Sequence, residues 1–292
     1  MNNIFKGSGV ALVTPFNSDD SIDFDGLRRL VRLQIDGGID FLVVQGTTGE
    51  SPTLSSSEKM EVLNTVIDEN QGKLKIVYGV GGNNTKEIGE YFKKIPAGVD
   101  GILSVSPFYN KPTQNGIKAH FQYLAGCTSL PIILYNVPGR TGSNMSVQTT
   151  LELAKIPNVV AVKEASGSME QIMELIMLRP EGFGILSGDD AITMPLIAAG
   201  ADGVISVVAN AFPEKFAAMV KASMEERLPE ARKLHYDLLP ITKMFFEEGN
   251  PGGVKEALSK RNVMSAKMRL PLYPVSEDLK MRIETETARL LK

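Results

Sequence analysis

Eight short runs of apolar, mostly β-branched residues recur through the first 210 residues, and they constrain the fold more than any other feature. The runs are Val10–Val13, Phe41–Val44, Ile76–Val80, Gly101–Val105, Ile132–Tyr135, Val159–Val162, Gly184–Leu186 and Gly203–Val207. Continuous apolar runs are typical of strands buried on both faces of a parallel sheet. Segments with helical periodicity, such as Asp25–Asp36 and Ser57–Asn70, separate them. Eight consecutive βα units predict a (β/α)8 TIM barrel.

The alternative architecture is a doubly wound open sheet, but no G-x-G-x-x-G pattern follows an early strand. After Asn210 the strand signal stops, and the remaining sequence has a helical character. We therefore expect an α/β fold with the barrel in residues 1–225. A C-terminal helical extension, residues 226–292, should pack on that barrel.

Composition excludes several classes of protein. The 31 Lys and Arg residues nearly balance the 34 Asp and Glu residues, so nothing in the charge favours nucleic acid. With one cysteine, Cys127, and two histidines, His120 and His235, the chain has little material for a disulfide framework, a metal site or a Ser-His triad. We see no signal peptide and no transmembrane segment, and we expect a cytoplasmic protein that binds no metal.

Polar residues follow the predicted strands, at the end of a barrel where active sites lie. They are Thr14, residues 46–51, residues 106–110, Tyr135 and Asn136, Lys163 and Glu164, and residues 187–190. Lys163 is the most informative of them, because a lysine at the end of a buried strand is costly unless it is paired or neutral. An unprotonated amine is a nucleophile for carbonyl carbon. The alternative is an ion pair with Glu164 or with another carboxylate at the barrel mouth.

Two further side chains fit such chemistry. Tyr135 ends the strand that precedes the strand of Lys163. Its position alone favours a core tyrosine bonded to a backbone carbonyl, but the neighbouring Lys163 favours a general acid and base. Arg140 follows a Pro-Gly turn and suits a carboxylate, but it is also compatible with a solvated loop. The turn Gly46–Gly49 is a candidate anion-binding nest.

The remaining candidates favour structural roles. Asp189 and Asp190 are compatible with a metal pair, but without partner histidines we expect them to cap a helix that begins near Ala191. His120 and His235 lie in helical stretches, and we expect structural or surface roles for both. We expect Cys127 to pack as a small apolar residue.

Three segments of the chain, residues 46–51, 135–141 and 162–165, resemble the pyruvate-dependent class I lyases related to N-acetylneuraminate lyase. The resemblance covers nearly the whole length and implies a Schiff base between pyruvate and a lysine, with no cofactor. It implies catalytic roles for Lys163, Tyr135, Thr47 and Tyr109, the last from a neighbouring subunit, and substrate-binding roles for Thr48, Arg140, Gly188 and Ile205.

The resemblance is strongest to the branch that condenses pyruvate with L-aspartate 4-semialdehyde in diaminopimelate and lysine biosynthesis. The alternative activity is N-acetylneuraminate lyase or another 2-keto-3-deoxy acid aldolase, and a non-catalytic barrel that senses a keto acid is a third hypothesis. Members of the family are commonly homotetramers built as dimers of dimers, and we expect the same here.

Some members bind L-lysine as a feedback inhibitor at a subunit interface. The positions aligned with that allosteric site match at Ser51, Asn83 and Glu87 but depart at others, which are Ser56, Lys59 and Phe108. A cation at residue 59 would lie near the ammonium group of the inhibitor. The resemblance therefore implies weak or absent inhibition by L-lysine.

Overall fold

The computed structural model describes residues 4–292, and its centre is a closed barrel of eight parallel strands in sequence order. The strands are β1 Gly7–Ala11, β2 Phe41–Val44, β3 Lys75–Gly79, β4 Gly101–Val105, β5 Ile132–Asn136, β6 Val159–Glu164, β7 Gly184–Ser187 and β8 Gly203–Ser206. Hydrogen bonds between β1 and β8 close the ring. The predicted (β/α)8 TIM barrel is thus confirmed.

Twelve α-helices lie between and after the strands of the described chain. They are α1 Phe24–Asp36, α2 Ser56–Asn70, α3 Thr85–Phe92, α4 Gln114–Ala125, α5 Pro138–Thr141, α6 Val147–Leu153, α7 Met169–Leu178, α8 Thr193–Ala198, α9 Pro213–Met224, α10 Leu228–Glu247, α11 Gly252–Lys260 and α12 Glu277–Leu290. Helix α2 starts with a capping box, in which Ser55 accepts from the Glu58 N–H and the Glu58 carboxylate accepts from the Ser55 N–H.

Strand β1 begins and ends earlier than its apolar run predicts. The N–H of Leu12 still donates to the Val43 carbonyl, at 3.0 Å. The N–H of Val13 instead donates to the Asn210 side chain, at 3.1 Å. The chain leaves the ladder there because a side chain, rather than the next strand, satisfies the backbone.

Large apolar side chains close the barrel at the N-terminal ends of its strands. Phe5 and Phe41 are both buried there, with ring centroids 5.7 Å apart. A Cβ added at Gly101, the first residue of β4, would lie 2.6 Å from the Phe5 ring. The interior is therefore filled at this end, and a ligand has room only at the C-terminal ends.

The C-terminal helices pack on the barrel near its seam. Phe212, which precedes α9, stacks on Phe245 of α10 with centroids 6.3 Å apart. Helix α10 also contacts α12, which in turn contacts α11. The domain boundary expected at residue 225 falls in the turn between α9 and α10. Within residues 4–292, no helix combines the length and apolar character needed to cross a bilayer.

Candidate active site

Lys163 lies near the end of β6 with its side chain directed into the barrel. The residue is only 6% exposed. In the sheet it stands beside Tyr135 of β5, and its Nζ is 4.5 Å from the centroid of the Tyr135 ring. Parallel neighbours in register place their side chains on the same face, so these two groups meet inside the barrel.

Glu164, the next residue, points to the opposite face of the sheet. Its carboxylate accepts hydrogen bonds from the Asn136 amide at 3.1 Å, from the Gln171 amide at 3.0 Å and from the Ser166 N–H at 2.8 Å. Burial raises the pKa of Glu164, and these donors oppose the rise. No ion pair within residues 4–292 includes Lys163. The structure thus does not form the alternative Lys163–Glu164 pair.

Gly188 provides room beside the Lys163 side chain. A Cβ built at residue 188 would lie 3.1 Å from Cε of Lys163 and 2.6 Å from Cβ of Ala165. The second distance is too short for two carbon atoms, so the backbone approaches β6 here only because residue 188 is glycine. Ile205 of β8 is buried in the same interior cluster of side chains as Tyr135.

The Gly46–Gly49 turn forms the other side of the site. Residues Thr47–Gly49 make one turn of 3₁₀ helix, in which Thr48 is buried and Thr47 is exposed. The Thr14 hydroxyl donates to the Gly49 carbonyl at 2.6 Å, which fixes the end of the turn. The first N–H groups of a helical turn have no partner within it, so this geometry suits a carboxylate.

Asn250 is a site residue that the sequence did not single out. It precedes α11, and its Nδ2 donates to Oγ1 of Thr48 at 3.0 Å. Because the amide occupies a lone pair of the Thr48 oxygen, the hydroxyl hydrogen stays free for an anion. The two residues are 202 positions apart. No local pattern could have predicted this contact.

A cavity of about 340 Å³ opens between the Gly46–Gly49 turn and β5. Thr47, Tyr135 and Arg140 line it. So do Ser51, Lys59 and Phe108. Among the described residues, none of those that line the cavity is acidic. Lys59 and Arg140 line the cavity and no acidic side chain among the described lining residues offsets them. The cavity therefore has a positive potential, which favours carboxylate ligands.

Seven of the predicted site residues are not among those that line this cavity, namely Lys163, Thr48, Gly188, Ile205, Tyr109, Asn83 and Glu87. Tyr109 is 87% exposed and has a positive φ of 68°. Asn83 donates to the Phe108 carbonyl at 2.8 Å, and Glu87 is exposed in the first turn of α3. Of the three allosteric candidates, only Ser51 lines the cavity.

The aspartates after β7 have separate roles. The Asp189 side chain accepts from the Ala191 N–H at 2.9 Å and caps the short helical turn, as expected. Asp190 does not act as a cap, because its carboxylate accepts from the N–H groups of Val207 and Val208 after β8. Burial raises the pKa of Asp190 to about 6. Residues 4–292 hold no cluster of side chains suited to a metal ion.

His120 has the expected structural role. It is buried in α4, and its Nδ1 lies 2.8 Å from the Thr85 hydroxyl. His235 is half-buried in α10. Cys127 is also half-buried, with its thiol 3.4 Å from the Tyr123 carbonyl.

Comparison with known proteins gives one consistent result. The profile of the dihydrodipicolinate synthetase family matches residues 4–289. The chain is 48% identical over 290 residues to a 4-hydroxy-tetrahydrodipicolinate synthase of Flavobacterium psychrophilum, with 99% of each chain covered. A synthase of the same name from Koribacter versatilis is 47% identical, with 96% of this chain and 94% of the relative covered.

Solved structures agree in fold. The dihydrodipicolinate synthase of Thermotoga maritima superposes with a TM-score of 0.96 at 36% identity, covering 99% of both chains. The enzyme of Aquifex aeolicus gives a TM-score of 0.94 at 38% identity, with 98% of both chains covered. The superposed regions include nearly the whole of this chain. The chain belongs to the dihydrodipicolinate synthetase family.

Proposed function

We propose that this chain is a lyase that condenses pyruvate with L-aspartate 4-semialdehyde to 4-hydroxy-tetrahydrodipicolinate, a step towards diaminopimelate and lysine. The observation that carries the proposal is the position of Lys163, whose amine is buried in the barrel beside Tyr135 and has no carboxylate partner within residues 4–292. The family names of the relatives support the same reaction. We expect it to take place in the cytoplasm.

The first half-reaction uses the lysine as a nucleophile. The Lys163 amine attacks the ketone carbon of pyruvate, and loss of water gives an iminium ion. The iminium accepts electrons when a proton leaves the methyl group, so an enamine forms without a metal or a cofactor. The hydroxyl and N–H of Thr48 hold the pyruvate carboxylate, and the Ile205 backbone lines the other side.

The second half-reaction joins the two substrates. The enamine carbon attacks the aldehyde carbon of the semialdehyde, and the aldehyde oxygen takes up a proton. The amino group of the semialdehyde then adds to the iminium carbon, and the Lys163 amine leaves as the ring closes. Tyr135 transfers protons in these steps, with Thr47 and Tyr109 completing the relay, and Arg140 binds the semialdehyde carboxylate.

The relay includes a residue that its own chain leaves exposed. Tyr109 extends from the loop after β4 with 87% of its surface accessible. We propose that it reaches the cavity of a neighbouring subunit within a homotetramer. Its backbone has a positive φ, which is uncommon for tyrosine and costly unless the surroundings enforce it.

Borohydride trapping tests the proposal. Reduction in the presence of pyruvate should add a pyruvate-derived mass to Lys163, and the Lys163→Met variant should show no addition. A second set of assays should compare condensation with L-aspartate 4-semialdehyde and cleavage of N-acetylneuraminate. No trapped adduct in the wild type would reject the enzyme hypothesis, and cleavage without condensation would favour the lyase alternative.

A further inference from the structure

A fully buried ion pair connects the loop of the Gly46–Gly49 turn with the C-terminal helices. Nζ of Lys255, in the first turns of α11, contacts Oε1 of Glu50, and both side chains are completely inaccessible. The same Nζ donates to the Lys267 carbonyl at 2.8 Å and lies 4.5 Å from the centroid of the Phe16 ring. Burial lowers the pKa of Lys255 to about 8, and Glu50 opposes that shift.

The second carboxylate oxygen of Glu50 also faces the C-terminal segment. Oε2 accepts from the Arg269 N–H at 3.3 Å. The Arg269 guanidinium lies 4.6 Å from the Phe16 ring centroid and donates to the Glu58 carboxylate at 2.5 Å and 3.0 Å. Both oxygens of Glu50 are therefore held by residues more than 200 positions later in the chain.

Glu50 can act on the carboxylate-binding turn because it directly follows it. Its N–H donates to the Thr47 carbonyl at 3.1 Å, and its backbone is left-handed, with φ 53° and ψ 31°. Non-glycine residues adopt this conformation at a cost, so surrounding contacts must hold it. The buried carboxylate supplies such contacts.

Lys255 acts from the other side of the same turn. Its N–H donates to the Pro251 carbonyl at 3.1 Å, so the lysine and the residues just before α11 move together. Asn250, next to Pro251, donates to the Thr48 hydroxyl oxygen. The pair thus fixes both the backbone of the turn and the donor that orients the Thr48 hydroxyl.

We infer that the Glu50–Lys255 pair is a positioning device for the pyruvate carboxylate, acting through Thr47, Thr48 and Asn250. The inference rests on the function proposed above. A contribution to stability alone explains the pair poorly, because removing two charges from water offsets most of their attraction. The ion pair also gives the carboxylate-binding turn a fixed geometry. Neutral side chains of similar volume would not reproduce that geometry.

The test is a double substitution, Glu50→Gln with Lys255→Met, which removes both buried charges together and avoids an uncompensated ion. The matched control makes the same changes at an exposed pair that joins α11 to α12, Lys260→Met with Glu284→Gln, whose charged atoms are 3.8 Å apart. Both proteins are assayed as full chains for kcat, for KM towards each substrate and for borohydride trapping with pyruvate.

We expect the double variant to raise KM for pyruvate by about tenfold or more, while kcat at saturating pyruvate and KM for the aldehyde change by less than about threefold. Trapping on Lys163 should still reach completion at high pyruvate, and the control should match the wild type. A folded double variant with an unchanged KM for pyruvate, or with equal losses for both substrates, would overturn the inference.

The conservative variant Glu50→Asp gives a second measurement if the double variant does not fold. It keeps the charge but draws the carboxylate back by one methylene, and KM for pyruvate should rise by a smaller factor. An unchanged KM in folded Glu50→Asp rejects the inference, as does failure of both variants to fold, which would make the pair purely structural. A wild type that traps no pyruvate would instead reject the proposed function.

Discussion

Gly188 directly follows β7, and a Cβ built there would lie 3.1 Å from Cε of Lys163. We expect Gly188→Ala to lower kcat by about tenfold or more, because its methyl group would push against Ala165 and displace the lysine from the attacking position. Steady-state kinetics and the rate of borohydride trapping measure the effect. Gly126→Ala is the control, since a Cβ there meets its nearest neighbour, the Tyr123 carbonyl, at 3.4 Å. Equal activity of the two variants would contradict this prediction.

Tyr135 is expected to transfer protons through its hydroxyl while its ring packs against the Lys163 amine. The Tyr135→Phe variant keeps the ring and loses only the hydroxyl, so kcat should fall by about 10²- to 10⁴-fold with little loss of stability. Single-turnover trapping should show slower formation of the pyruvate adduct. If kcat stays within about twofold of the wild type, the hydroxyl has no role in proton transfer.

His120 gives a pH dependence of stability with a definite sign. Burial lowers the pKa of His120 from 6.5 to about 4. At a pH between these two values, the histidine binds a proton in the unfolded chain but not in the folded chain. The contribution of His120 to stability should therefore fall as pH falls through this window, by about 2 kcal/mol at about pH 5, whereas Asp190, whose pKa is raised by burial, contributes in the opposite direction.

Urea unfolding of the wild type and of His120→Gln near neutral pH and near pH 5 isolates this contribution, because the groups that the two proteins share cancel in the difference between them. His235→Gln should remove less of the pH dependence, because His235 is only half-buried. The same pH dependence in wild type and His120→Gln would show that other groups are responsible.

At the scale of elements, one side chain secures the seam of the barrel. Asn210, just after β8, donates to the Ala11 carbonyl at 2.8 Å and to the Val207 carbonyl at 3.0 Å, and it accepts from the Val13 N–H. These bonds join the last strand to the first where the ladder between β1 and β2 ends. The seam therefore depends on an amide, which both donates and accepts.

We expect Asn210→Ala to destabilise the protein by about 2–4 kcal/mol, because it leaves buried backbone groups without partners. Asn210→Asp should also destabilise, since a carboxylate cannot donate to the Ala11 carbonyl. Chemical denaturation measures both. Asn17→Ala, at an exposed turn amide, is the control and should cost less than half as much. Comparable losses at the two sites would contradict a special role for the seam.

The strands were predictable from sequence because burial on both faces produces continuous apolar runs. Seven of the eight runs begin within one residue of the observed strand, and the exception, β1, ends where Asn210 replaces the ladder. Lys163, Tyr135 and the Gly46–Gly49 turn could be found because each directly follows a run. Asn250 and the Glu50–Lys255 pair could not, because their partners are brought together only by the packing of the C-terminal helices.

At the scale of the whole molecule, a charged residue that lines the cavity should affect inhibition by L-lysine. Lys59 lines the cavity, and burial lowers the pKa of its amine. A cation here should repel the ammonium group of L-lysine, so we expect an inhibition constant for L-lysine in the millimolar range or weaker. Initial rates with increasing L-lysine measure it. An inhibition constant well below millimolar would contradict the prediction, and Lys59→His should show whether the cation is responsible.

The connection between Glu50 and residues 250–269 has a consequence for synthesis on the ribosome. A nascent chain that ends after β8 has every strand of the barrel and Lys163 itself, yet it lacks the counter-charge for Glu50 and the amide that contacts Thr48. The carboxylate-binding turn can therefore take its final shape only when residues 250–269 have emerged. A shorter nascent chain should therefore bind pyruvate weakly even though its barrel strands and Lys163 are already present.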